Sequence, residues 1–180
     1  CCLAVAKRQK NLKIADNRTF FIKVSLESLL DSGFHQWLAD YLRGCTLNGQ
    51  HLSLELRENE ALDNLPRFQQ FVAQFQALGC QIALENFGKN PTAFQLLKNI
   101  PVHYVKLDRT LVHNLPTEPE QQQTVAKLIA QAHERDIKVI ASYVEDAGSL
   151  NLLWRYGIDL IQGHFIQQPD EQMTFFEGSN

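Results

Sequence analysis

LSLELRENEALDNLPRFQQFVAQFQALGCQIAL, residues 52–84, sets the pattern of the whole chain. It begins and ends on short apolar runs, Leu52–Leu56 and Gln81–Leu84, each of a length suited to a buried strand. Between them lies an amphipathic segment. Asn64, with Pro66 in the first turn, opens a helix whose apolar face is Phe68, Phe71, Val72, Phe75 and Leu78, and Gly79 closes it. Strand, helix and strand in about 30 residues is the size of one βαβ unit.

The same alternation extends in both directions. Further short runs are Phe20–Val24 (FFIKV), Tyr104–Leu107 (YVKL), Lys138–Ala141 (KVIA) and Leu160–Gln162 (LIQ). Thr117 and Glu120 have the spacing of a capping box and predict a helix with Val125, Leu128, Ile129 and Ala132 on one side. Another helix is expected from Ala147 to Tyr156, stopped by Gly157, with Trp154 as helix-face core. Six strands alternating with helices imply a parallel sheet with right-handed crossovers. A doubly wound sheet would carry a glycine-rich phosphate turn, and neither G-x-G-x-x-G nor G-x-x-x-x-G-K is present. A (β/α)8 TIM-like barrel takes about 250 residues, roughly 70 more than this chain, or two βα units. The expectation is such a barrel with its N-terminal strands missing. Residues 1–180 open Cys1-Cys2-Leu3-Ala4, without an initiator Met or signal-peptide pattern, and are read as the C-terminal portion of one domain that begins inside a larger protein.

Composition narrows the function classes. Hydrophobic residues are 44% and charged residues 21% of the 180, a globular mixture that argues against disorder. No apolar run is long enough to span a membrane. The net charge of −3 leaves no cation excess for broad binding to a nucleic-acid backbone. The four cysteines form no C-x-x-C pair, and Cys80 reads as a small buried hydrophobe. The six histidines show no H-x-x-x-H spacing, which argues against a zinc site. No cofactor is expected, and the cysteine usage suits a reducing cytoplasm.

In a barrel, functional side chains gather at the C-terminal ends of the strands. Those ends supply Lys23 and Ser25, Glu55 and Glu58, Glu85 and Asn86, and Lys106 and Asp108. The last two strands add Ser142, Tyr143 and Glu145, then Gln162 and His164. Any one of these could simply mark where the chain meets water. The opposite ends carry mostly turn residues (Gly49, Gly79, Asp136), so the six together point to a polar pocket on one rim.

The motifs LSLELRE (52–58), IALENFGKN (82–90), VKLDRTLV (105–112), VIASYVED (139–146) and GIDLIQGHFIQQP (157–169) occur in that order. They resemble the successive strands of EAL domains, (β/α)8 phosphodiesterases that hydrolyse cyclic di-GMP, whose motifs read L-E-x-T-E, D-D-F-G-T-G, V-K-I-D, I-A-E-G-V-E and Q-G-Y. FIKVSLESLL (21–30) resembles the earlier V-N-L-S strand. The eponymous Glu-Ala-Leu strand lies upstream of Phe20, and Glu60-Ala61-Leu62 spells it only by coincidence at a helix start.

Active members bind two divalent cations through carboxylates and an Asn, and the pair activates a water for attack on the phosphodiester. Against that pattern Glu55, Lys106, Glu145 and Gln162 are kept. The Asn of V-N-L-S is Lys23, the paired aspartates are Glu85 and Asn86, and the first Glu of A-E-G-V-E is Ser142. The resemblance therefore implies a remnant metal site at Glu55, Glu85, Asn86 and Lys23, with no catalytic residues and no metal. Where the family has Gly, Tyr143 offers a flat face to a guanine. Glu145 can accept from guanine N1–H and its exocyclic amine, and Lys106 can meet a phosphate. Ser142 and Gln162 complete the expected ligand-binding set. The resemblance is to the FimX type, degenerate cytoplasmic receptors of type IV pilus control, and implies a PilZ-type adaptor as partner. Two other readings stand beside a non-catalytic cyclic di-GMP receptor. One is a residual phosphodiesterase, and the other is a protein-interaction scaffold with a vestigial pocket that binds no nucleotide.

Overall fold

In the computed structural model, which describes residues 19–44, 49–90, 92–98 and 100–163, six strands form one sheet. They are β1 (Phe20–Lys23), β2 (Leu52–Arg57), β3 (Gln81–Phe87), β4 (Tyr104–Leu107), β5 (Lys138–Ala141) and β6 (Leu160–Ile161). All neighbours pair in parallel and the spatial order is β1-β2-β3-β4-β5-β6. Each strand thus lies beside the one that precedes it in the chain, the order of a barrel wall. Right-handed crossovers then bring every helix to the same face. The expected truncated (β/α)8 fold is what forms, and every expected strand is present with bounds shifted by a few residues at most. Cys1, Cys2, Cys45, His164 and the stretch up to Pro169 lie outside the described residues.

The helices are α1 (Leu26–Leu30), α2 (Ser32–Gly44), α3 (Glu58–Asp63), α4 (Leu65–Gln76), α5 (Ala93–Leu97), α6 (Arg109–Val112), α7 (Pro119–His133) and α8 (Ala147–Arg155). Helix α4 agrees with the sequence reading. Phe68, Phe71, Val72 and Phe75 are buried, and Gly79 takes φ +83, a left-handed turn that glycine adopts without Cβ strain. Its rings enter one large core with Leu52, Leu54, Leu56, Ile82 and Leu84 of the sheet. On the opposite face of the sheet, Ala83, Tyr104 and Ile140 form a second, smaller cluster with Phe21 packed on it.

Two local expectations are corrected. The capping box at Thr117 and Glu120 does not form: α7 starts at Pro119 and Glu118 gives no side-chain cap. Thr117 instead closes a 3-10 turn, Leu115–Thr117, where its hydroxyl donates to the carbonyl of Asn114 at 3.0 Å. Trp154 is not core either. In α8 the buried residues are Ser149, Leu150 and Leu153, and Trp154, about 100° round the helix from Leu153, is 60% exposed.

Candidate functional site

The site grows out of the two-residue period of the strands. Phe21, Ala83, Tyr104 and Ile140 occupy the face away from the helices, so the residues two further on, Lys23, Glu85, Lys106 and Ser142, occupy that face at the next level. Glu55 of β2 joins them. An apolar floor thus supports a polar layer at the C-terminal ends of the strands.

Four of these side chains form an alternating row of charge. Lys106 Nζ donates to Glu55 Oε1 at 2.6 Å and to Glu85 Oε1 at 3.4 Å, and Lys23 Nζ stands 3.1 Å from the same Glu85 oxygen. Burial pushes the Glu55 carboxyl above its ordinary value, although the Lys106 hydrogen bond and charge pull the other way. Burial acts in the same direction on Glu85. There the hydrogen bond from Lys23 and the charges of both ammoniums outweigh it and hold the carboxyl below its ordinary value. The Lys23 ammonium is in turn held charged, first by its hydrogen bond to Glu85, against the effect of burial.

Glu85 and Asn86 sit where the β3–β4 register slips, between Leu84 and Phe87. Such an irregularity re-aims side chains. Asn86 adopts φ +56, a left-handed conformation that Asn tolerates better than most residues. It does not join the charge row. It lines a cleft of about 440 Å³ with Glu58, Asn59, Lys89, Asn90 and Asp108.

Glu58 belongs to that cleft and has a role the sequence reading did not assign. It is 2% exposed, and its Oε2 accepts from the Gly88 amide at 2.9 Å, tying the start of α3 to the turn after β3. Its Oε1 is buried without a hydrogen-bond partner. Burial, with the Asp108 charge adding to it and the Gly88 amide opposing it, pushes its carboxyl up to about 7.

The loop after β5 carries the remaining candidates. Ser142 is buried and its hydroxyl has no partner. Tyr143 is 51% exposed and takes φ +62. The anchoring of Val144 imposes this left-handed backbone. Val144 is fully buried, and its amide reaches the carbonyl of Gln162 at 3.3 Å. Gly163 lies against Val144 so closely that a Cβ there would fall 2.2 Å from the Val144 carbonyl oxygen. Gln162 holds the loop through its backbone, and its side chain is exposed. Above the loop, the Arg109 guanidinium carbon lies 5.0 Å from the centre of the Tyr143 ring, and Arg109 Nη2 is 3.9 Å from Glu145 Oε1. Arg109 was not among the sequence candidates. The available signal was its place directly after Asp108 at the end of β4.

Comparison with known proteins places this geometry. The family model described as "EAL domain" matches residues 1–169. The signaling protein YkoW of Bacillus subtilis is 29% identical over 148 residues, 82% of this chain and 18% of its own length. The cyclic di-GMP phosphodiesterase PdeF of Escherichia coli is 29% identical over 162 residues, 87% of this chain and 22% of its own. The chain thus spans about a fifth of the length of these relatives. Among solved structures, the FimX EAL domain of Pseudomonas aeruginosa bound to c-di-GMP superposes with a TM-score of 0.88 at 30% identity, over 97% of this chain and 70% of that one. The Xanthomonas citri FimX EAL domain in complex with c-diGMP has a TM-score of 0.89 over 98% of this chain and 68% of that one, and its 24% identity makes it a likeness of fold. A parallel barrel wall, a polar layer at its C-terminal rim and a match over nearly the whole length lead to one conclusion: the chain belongs to the EAL domain family.

Proposed function

We propose that this chain forms the pocket of a cyclic di-GMP receptor that does not hydrolyse its ligand. Support for the ligand comes from the likeness to the FimX EAL domain bound to c-di-GMP. Support for the lack of catalysis comes chiefly from one contact, Lys23 Nζ on Glu85 Oε1 at 3.1 Å. The metals that the family implies need a cluster of anionic oxygen donors. Here the charges of Glu55 and Glu85 are matched by those of Lys106 and Lys23. Among the described residues no group of three His, Cys, Asp or Glu side chains is placed to hold a metal ion. An ammonium at ~4 Å from a dication costs several kcal/mol even at an effective dielectric near 20. The donor set among the described residues does not fit a pair of divalent cations.

The same rim suits a guanine. Tyr143 presents an exposed ring for stacking, Glu145 presents an acceptor pair, and the lysines give the charge row its cationic members for the ligand's phosphates. We further propose a place in type IV pilus control with a PilZ-type adaptor as partner, which rests on the resemblance of the sequence motifs to the FimX type. Calorimetric titration of the full-length protein with cyclic di-GMP, alongside turnover assays in Mg²⁺ and Mn²⁺, tests the reading. Binding without turnover is expected. Turnover would restore the phosphodiesterase, and absence of binding would favour the interaction scaffold.

A further inference from the structure

We infer that Arg109 is a positioning residue of this nucleotide site: its guanidinium backs one face of the Tyr143 ring and leaves the other to stack on a guanine. The inference rests on the receptor reading. It starts from an anomaly: a bulky residue at φ +62 on an exposed rim. Such a conformation costs of order 1–3 kcal/mol and persists only where the surroundings over-determine it. The backbone is held by the Val144–Gln162 hydrogen bond and by the close approach of Gly163. Those contacts explain the path of the chain, but not why the side chain is a tyrosine.

The ring's only charged neighbour at stacking range among the described residues is Arg109, 5.0 Å from its centre. A planar guanidinium stacks on an aromatic face and is drawn to it by the ring's quadrupole. Arg109 begins α6, directly after Asp108, whose carboxylate caps that helix through the Thr110 amide at 2.9 Å. The base of the arginine is therefore anchored, and Glu145 at 3.9 Å restrains its tip. A half-exposed tyrosine otherwise samples several rotamers, and fixing one before the ligand arrives lowers the cost of ordering it on binding. The same Glu145 that restrains the arginine is the proposed guanine acceptor. One carboxylate thus lies beside both the arginine behind the ring and the proposed edge contact.

The test is a double-mutant cycle in the full-length protein, titrated with cyclic di-GMP. Arg109→Ala is expected to weaken binding roughly two- to fivefold. Combined with Tyr143→Ala it should add nothing to the loss from Tyr143→Ala alone, because Arg109 acts through the ring. Independent, multiplying losses that shrink at high salt would mark a direct phosphate contact and overturn the positioning role. So would unchanged affinity in Arg109→Ala. A ligand-free readout accompanies these titrations. The Arg109 side-chain NMR resonances should carry a ring-current shift that Tyr143→Leu abolishes, and its absence in the wild type would overturn the contact. If the wild type fails to bind, the receptor reading falls and this inference with it. Failure of the inference alone shows as a wild type that binds and a cycle that is additive.

Discussion

Lys23 and Glu85, on strands that are not neighbours in the sheet, meet at 3.1 Å at the C-terminal rim of the strands. The contact ends the row Glu55, Lys106, Glu85, Lys23, in which each carboxylate has an ammonium beside it. On the receptor reading, removing one ammonium does not rebuild a metal site, because Asn86 lines the neighbouring cleft and Ser142 supplies a hydroxyl where the family motif has a carboxylate. Lys23→Asn alone is therefore expected to show no cyclic di-GMP hydrolysis above background in Mg²⁺ or Mn²⁺. Chromatography of the linear dinucleotide product checks this, and metal-dependent turnover by that single variant would sink the account of several independent ligand losses.

Glu58 gives a pH dependence of stability. Its carboxyl titrates at about 7 in the folded chain against an ordinary value of 4.5. Between those values the native state holds a proton that the unfolded state has released, so stability falls as pH rises through the window. The contribution is fully present below the ordinary value and lost above about 7. Its full size is of order 3 kcal/mol. Glu58→Gln keeps an acceptor for the Gly88 amide but cannot ionise. Urea unfolding across the window should show the wild type losing stability relative to this variant as pH rises. Parallel pH profiles would mean that Glu58 ionises freely.

The strands, the barrel order and the charged rim were legible in the sequence because each rests on local pattern. Runs such as LSLEL and YVKL are short and apolar, and their two-residue period places Glu55 and Lys106 without knowledge of their neighbours. The contacts between distant segments were not legible. Glu58 stood out as a strand-end acid, but its partner is a backbone amide thirty positions on, and no side-chain pattern announces an amide. Arg109 meets Tyr143 only because β4 and β5 are adjacent in the sheet. Trp154 departs from the expected helix-face core because the buried arc of α8 runs through Ser149, Leu150 and Leu153 and leaves the next position facing outward.

Glu145 is half exposed and restrains Arg109 loosely, so its replacement leaves the fold intact. On the receptor reading, Glu145→Gln sets an amide donor against one of the two guanine donors. Binding should weaken by about 1.5–3 kcal/mol, roughly ten- to 150-fold. The selectivity over cyclic di-AMP should fall with it, because the lost contact is to the guanine edge. Competition titrations of both nucleotides measure this. Unchanged selectivity would take Glu145 out of base recognition.

Tyr143 separates function from stability at a single position. Its φ of +62 is strained for any residue with a Cβ and relaxed for glycine. Tyr143→Gly should therefore be more stable than Tyr143→Ala, by about 1 kcal/mol. Both remove the ring, and both should weaken cyclic di-GMP binding by about 1–3 kcal/mol, roughly five- to 150-fold. Tyr143→Phe keeps the ring and the strain, and should bind nearly as well as the wild type. Thermal unfolding and calorimetry on the same three variants give the two readouts independently. A glycine variant less stable than the alanine one would show that the left-handed backbone is not a source of strain. Full affinity in the alanine variant would show that no base stacks there. The expected pattern, with the glycine variant the more stable and binding dependent on the ring, identifies a residue kept for its ring at a cost to its backbone.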